Sequence, residues 1–172
     1  MRVAESHSAE AEPADFHVYH HGVFKWQGDY SWGVRIDYAD KTGAPADGSY
    51  DIAVTGIGGF QPFASHYDFD PGPYKYLVFS LQPTIADQQW DSAFYAVGDI
   101  LTGNLVNVLK YGPPPAVGQW TTYKIPLGAG GYGIPAKTRI YKFMIQDQTA
   151  DQTGSQYKTN RWYVNDIYFT AR

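Results

Sequence analysis

The stretch KYLVFSLQ, residues 75–82, decides the fold. Leu77, Phe79 and Leu81 fall on one side of an extended chain and Tyr76, Val78 and Ser80 on the other, the period of two that belongs to a β-strand. The first set is assigned to the core. DPGP precedes the stretch at 70–73, and its two prolines and glycine end any element that reaches them. Working outward, the same alternation or β-rich composition recurs at 16–20, 32–38, 50–55, 60–67, 93–97, 104–109, 119–125, 139–146 and 161–169. In 139–146, Tyr141, Phe143 and Ile145 share one face, and Lys142, Met144 and Gln146 share the other. Between these runs lie KTGAPADG, GIGG, YGPPPAVG and PLGAGGYGIP, all strong breakers. No segment sustains a helical period, although 84–90 has room for one helical turn. Strands of this number and spacing predict an all-β fold, a β-sandwich of two antiparallel sheets in the manner of a jelly roll.

Composition narrows the function classes. The chain has 172 residues, enough for one domain with a sizeable core. Residues 1–15 are small and acidic and read as a disordered tail or linker stub, leaving 16–172 as the sandwich. The whole chain holds 13 Lys and Arg against 17 Asp and Glu; setting aside Arg2 and the four acids of 1–15 leaves 12 against 13. A body so near neutral has no basic stripe to track phosphates, which argues against nucleic acid as a partner. Cysteine is absent, which removes disulfides, thiolate metal sites and thiol catalysis. No apolar run is long enough to span a membrane. The N-terminus lacks the apolar centre of a signal peptide and reads as a trimmed start.

Aromatic residues make up 17% of the chain, with 15 Tyr and 5 Trp, more than a core of this size requires. A flat ring covers the apolar C–H face of a sugar at little entropic cost, and nearby amides, carboxylates and guanidinium groups satisfy the hydroxyl rim. Trp26, Tyr30 and Trp32 fall in the polar segment KWQGDYSW, and Trp90 in ADQQWDS, both of them loop-like. Tyr95 alternates with Phe94, so one of the two faces outward. Arg35 shares a strand face with Asp37, and Gln146 and Gln148 flank Asp147 at a strand end. These residues are the candidate carbohydrate contacts: Trp26, Tyr30, Trp32, Arg35, Trp90, Tyr95, Gln146 and Gln148. Trp120 and Trp162 lie inside strand patterns and are assigned to structure.

Catalytic signals are sparse. Glycosidases need two positioned carboxyl groups, yet Glu5, Glu10 and Glu12, the glutamates of the chain, all lie in the first 15 residues. The aspartates mostly occupy turn contexts. No Gly-x-Ser-x-Gly elbow occurs. His17, His20 and His21 read as edge-strand or loop histidines, since strict alternation places His17 and His21 on one face and His20 on the other.

The order HVYHHG, GSYDIAV, PYKYLVFSLQ, GQWTTYKIPL, IYKFMIQDQT and NRWYVNDIYF resembles the jelly-roll carbohydrate-binding modules with a galactose-binding-like fold, over nearly all of 16–170. Its most specific parts are GQWTTYKIPL (118–127) and WYVNDIYF (162–169). The resemblance implies binding of polysaccharide or oligosaccharide without catalysis, attachment to a polysaccharide-degrading enzyme, and a secreted or cell-surface setting. It also implies a structural calcium held by the opening and closing strands, with Asp166 as ligand. Here the opening strand carries His20 and His21 in place of acidic residues, and the closing pair reads Asn165-Asp166 rather than two aspartates. A small glycoside hydrolase or polysaccharide lyase, and a protein-interaction or adhesion domain, stay open as alternatives.

Overall fold

The final strand organises one half of the molecule. The computed structural model describes residues 12–26, 28–64, 66, 68–149 and 160–172. Its strands are β1 (Phe16–His20), β2 (Val23–Phe24), β3 (Gly28–Asp29), β4 (Trp32–Asp40), β5 (Asp51–Phe60), β6 (Pro62–Phe63), β7 (Tyr76–Pro83), β8 (Trp90–Ala96), β9 (Ile100–Asn107), β10 (Thr121–Pro126), β11 (Lys142–Asp147) and β12 (Arg161–Thr170). One edge of β12 pairs with β7, which pairs in turn with β10. Its other edge is shared: Arg161–Val164 pair with β5, and Ile167–Phe169 pair with β1. In the other half β11 takes the same role. One of its edges pairs with β8, and β8 with β9; the other is shared by the end of β5 and by β6. All of these pairings are antiparallel.

β5 belongs to both halves, with β4 beside it from Asp40 opposite Asp51 to Trp32 opposite Gly59. The two layers are thus one sheet curled over onto itself. Phe94 of β8 lies 6.0 Å from Phe169 of β12, and Trp90 lies 6.0 Å from Trp162, although β8 and β12 do not pair. Such contacts between unpaired strands mark the face-to-face core of a sandwich. Leu77, Phe79, Leu81, Phe143 and Ile145 all enter it, as their parity predicts.

The strand boundaries differ from the sequence reading where glycine and short hydrogen-bonded turns intervene. GIGG does not separate two strands. It lies inside β5, which runs unbroken to Phe60, and the expected strand over 60–67 shrinks to Pro62–Phe63, with Ser65 and Tyr67 outside the described residues. A Cβ on Gly58 would come within 1.6 Å of the Trp32 carbonyl oxygen, so the β4 backbone occupies the space of a side chain. β9 begins earlier than expected and ends at Asn107, whose side chain accepts from the Leu109 N–H and starts a 3-10 turn over Val108–Tyr111. No helical turn forms over 84–90; the Gln88 side chain instead accepts from the Thr84 N–H at 3.0 Å. Residues 1–11 of the expected tail lie outside the described residues.

β12 keeps its core face through a bulge. Trp162 and Val164 point inward, then Ile167 and Phe169 do, so the parity changes between them. The extra residue falls at Asn165–Asp166, where the register against β7 slips and Asp166 takes a left-handed backbone, φ +47°.

The outer face of this layer is covered by the 41–48 loop. The Gly43 carbonyl accepts from Gln82 Nε2 at 2.8 Å and from Trp120 Nε1 at 3.1 Å, and Thr42 Oγ1 donates to the Tyr163 hydroxyl at 3.1 Å. Beneath the loop lie two neighbouring carboxyl groups. Asp40 accepts from Arg161 at 2.9 Å and from the Thr42 and Gly43 N–H groups. Burial opposes its charge but is outweighed by the Asp51 carboxyl and by the Thr42 and Gly43 donors, so Asp40 stays below the usual carboxylate range. Asp51 is 0% exposed, and burial followed by the Asp40 charge pushes it up to about 8. Folded protein therefore holds a proton on Asp51 that the unfolded chain releases near pH 4. Stability from this group is fully present below that value and is lost as pH rises through about 8. Asp51→Asn, which cannot ionise, is expected to flatten the fall in melting temperature between pH 5 and pH 9. Parallel slopes for the two proteins would show that Asp51 is not the group responsible.

Candidate functional site

Among the described residues, the outer face of the β11 layer is exposed at Trp32, with Tyr30 exposed beside it. Lys142, Met144 and Gln146 point away from the core, and their partners across β8 are Tyr95, Ala93 and Asp91. On the other side Gln146 pairs with Gly59, and Gly59 with Trp32. Residues directly opposite in an antiparallel sheet share a face, so Trp32, Gln146, Lys142 and Tyr95 form one surface spanning four strands. Trp32 is 50% exposed. A Cβ on Gly59 would come within 2.9 Å of the indole Nε1 and 3.1 Å of Met144 Cγ, so the ring lies over the glycine and reaches toward Met144.

A cleft of about 660 Å³ opens beside Trp32. Tyr30 stands at one wall, 45% exposed, stacked on Phe63 with centroids 4.3 Å apart at 24°. The turn Val97–Asp99 between β8 and β9 forms the facing wall, and Gln61, Tyr141 and Lys142 line the rest. Lys142 is buried. Its Nζ binds Asp99 Oδ1 at 2.5 Å and Gln61 Oε1 at 3.0 Å, and lies 4.9 Å from the Tyr95 ring and 5.3 Å from the Tyr141 ring. Tyr141 donates its hydroxyl to Asp99. These two donors, Lys142 first, hold the Asp99 carboxyl below its usual range. Burial and the Asp99 charge push the Tyr141 phenol up. The cleft therefore combines two exposed aromatic faces with a fixed, charge-matched polar floor.

Several of the sequence candidates meet here and others do not. Tyr30, Trp32, Tyr95 and Gln146 share the open face. Trp26 does not: it is 4% exposed and packs against Phe69, Phe143 and Phe169 with centroids 5.5 to 5.9 Å away. Trp90 is 0% exposed and forms a core pair with Trp162. Both sit in polar sequence yet are enclosed by aromatic rings from distant strands, and beside Trp90 the polar Gln88 and Ser92 are buried too, each hydrogen-bonded to a distant partner. Arg35 lies in a separate hollow with Asp37, Thr55 and Arg161. Gln148, half-buried beyond β11, donates its backbone N–H to the Gln89 carbonyl at 2.7 Å. Gln61 and Asp99 escaped the sequence reading. Asp99 sits in a Val-Gly-Asp turn with φ +60°, a hairpin signal present in the sequence. Tyr141, expected on one face with Phe143 and Ile145, precedes β11 and lines the cleft, while those two enter the core.

Asp166 lies at a different place, in the layer of β12. Its Oδ1 is 2.6 Å from His20 Nδ1, and one donor atom each from His20, His21 and Asp166 fall within 4.8 Å of one another. Calcium takes six to eight oxygen ligands. A set of two imidazoles and one carboxylate does not fit that ion.

No protein-family model and no curated protein matches the sequence. Solved structures do match in fold. The family 11 carbohydrate-binding module of the cellulosomal cellulase Lic26A-Cel5E of Clostridium thermocellum superposes with a TM-score of 0.56 at 12% identity, covering 92% of this chain and 95% of that one. The family 11 module from the same organism, in complex with a β-1,3-1,4-mixed-linked tetrasaccharide, gives 0.54 at 14% identity, with 91% and 95% covered. CBM29_1, a family 29 module from Piromyces equi, gives 0.53 at 11% identity, with 92% and 91% covered. The fold is thus the β-sandwich found in carbohydrate-binding modules, as the motifs imply.

Gly59 is the seat of Trp32, and Gly59→Val is expected to lift the indole from β5. Acrylamide quenching of tryptophan fluorescence should rise, at a stability cost of about 1–3 kcal/mol from overpacking. Unchanged quenching in a folded variant would mean that the ring does not rest on that glycine.

Proposed function

We propose that this chain is a non-catalytic carbohydrate-binding module that holds a polysaccharide on the open face of the β11 layer. The observation that carries the reading is the pairing of Tyr30 and Trp32, both about half exposed, beside a cleft whose other polar groups are already fixed. Exposed rings cover the C–H faces of sugars, and Gln61, Asp99 and Gln146 offer partners to the hydroxyls. Asp99 charge-matches Lys142, so the cleft offers no unmatched cation to an acidic polymer, and a neutral glycan suits it best. A family 11 module of the same fold is known in complex with a β-1,3-1,4-mixed-linked tetrasaccharide, which makes neutral polymers with such β-linkages the first ligands to test. Among the described residues, Asp99 is the one carboxylate lining the cleft, and it is tied to Lys142 and Tyr141 rather than placed as half of an acid–base pair. Asp40 and Asp51, which do lie together, are inside the fold. The role that follows is to keep an attached polysaccharide-degrading enzyme, outside the cell or at its surface, close to its substrate.

Affinity electrophoresis against mixed-linked β-glucan, xylan, mannan, galactan and pectin, with reducing ends assayed in parallel, tests this directly. Retardation by a neutral polymer without product is expected. Trp32→Ala should weaken it about tenfold, equivalent to about 1.4 kcal/mol, and Tyr30→Ala should weaken it further, while Arg35→Ala leaves it unchanged. Retention of full binding by the Trp32→Ala, Tyr30→Ala double variant would place the ligand elsewhere, and released product would replace binding by catalysis.

A further inference from the structure

The corner where β1 meets β12 carries a constellation that carbohydrate binding does not use. Strict alternation would separate His20 from His21. Instead His21 leaves β1 in a left-handed turn, φ +50°, and the two imidazole centroids come within 3.5 Å. On β12 the bulge at Asn165–Asp166 turns Asp166, φ +47°, toward the same point. Two non-glycine residues in left-handed backbone each cost stability, and such costs collect where side chains must be aimed.

We propose that His20, His21 and Asp166 form a binding site for a divalent transition metal of the zinc type, in place of the calcium that the fold resemblance implies. Three observations support it. Imidazole nitrogen with one carboxylate is the donor set of zinc and its neighbours, whereas calcium calls for oxygen alone. The donor atoms lie within 4.8 Å of one another. The ligand atoms of a tetrahedral zinc stand about 3.4 Å apart, given bonds of about 2.0–2.2 Å, and these half-exposed side chains close the difference by rotating. His21 Nδ1 is also held by Asp47 Oδ2 at 2.6 Å, which leaves Nε2 to face a metal. A carboxylate on the far nitrogen is the usual orienting partner of a metal-bound histidine. His17 packs at 4.7 Å behind His20, and its Nδ1 is buried with no hydrogen-bond partner among the described residues. Three protein ligands leave a fourth position for water.

The test uses the full chain, stripped with chelator and dialysed. Equilibrium dialysis against zinc chloride at pH 7.5 with elemental analysis should give one bound zinc per chain at micromolar metal, with a raised melting temperature; calcium chloride should do neither. Cobalt(II) should give the visible absorption of a low-coordinate nitrogen–oxygen site. Asp166→Asn and His21→Asn should each lower zinc affinity at least tenfold. Asparagine tolerates the left-handed backbone at both positions, so these variants should keep the wild-type circular dichroism. The proposal falls if the wild type retains no zinc, which would leave the His20–Asp166 contact an ion pair only. It falls equally if calcium rather than zinc raises the melting temperature, or if both variants bind zinc as the wild type does.

Discussion

The close approach of β4 to β5 is the constraint on which the remaining structure rests. At Gly58 the Trp32 carbonyl stands where a side chain would be, and at Gly56, φ +125°, a Cβ would meet the Gly33 carbonyl oxygen at 2.4 Å. Any larger residue at either position would force the two backbones apart. Because they do not separate, β5 can leave the layer of β12 and enter the layer of β11 without breaking, and one continuous sheet closes over its own core. Their neighbour Gly59 leaves the outer face bare, and the Trp32 indole lies over it. Closure of the sandwich and placement of its most exposed indole thus both depend on the short glycine-rich run 56–59.

The two outer faces then diverge. Over β12 and β7, the 41–48 loop is fastened by Gln82 and Trp120 to a single carbonyl, and it shuts the carboxyl pair Asp40–Asp51 away from water. Over β11 the polar groups among the described residues are fixed by one another. Lys142 would be costly to bury alone, but Asp99, Gln61 and the Tyr95 and Tyr141 rings each take part of its field. A floor already satisfied in this way presents rigid hydrogen-bonding groups without an unmatched charge.

The fold was legible because strand parity is a local property. KYLVFSLQ sorts itself into inward and outward residues without reference to anything distant, and the sandwich confirms the inward set Leu77, Phe79 and Leu81. The site was legible only in part, because exposure of an aromatic residue is decided by what covers it. Tyr30, Trp26 and Trp32 share one polar octapeptide, yet Trp26 meets three phenylalanines brought from distant strands while Tyr30 and Trp32 meet solvent. Trp90 is similar: its polar neighbours signal a loop, and only the position of Trp162 across the core shows where the indole goes. Gln61 and Asp99 were illegible for a further reason. Their role comes from Lys142, which is about 80 residues from one and about 40 from the other, and no local pattern records that meeting.

Irregular backbone carries the remaining information that alternation misses. Periodicity predicts that His20 and His21 diverge and that Asp166 continues the parity of its strand. Both expectations fail where the backbone turns left-handed: His21 swings out at the end of β1, and an inserted residue at Asn165–Asp166 breaks the period of two in β12. A bulge that served only the core could be met by any residue that restores the inward face afterwards. Here the residues that absorb the irregularity are ionisable and point at one another, with Asp47 reaching His21 from a loop outside the pair. Core repair alone accounts for Val164 and Ile167. It gives no reason for histidine and aspartate to occupy the left-handed positions, and a ligand shared among their side chains does.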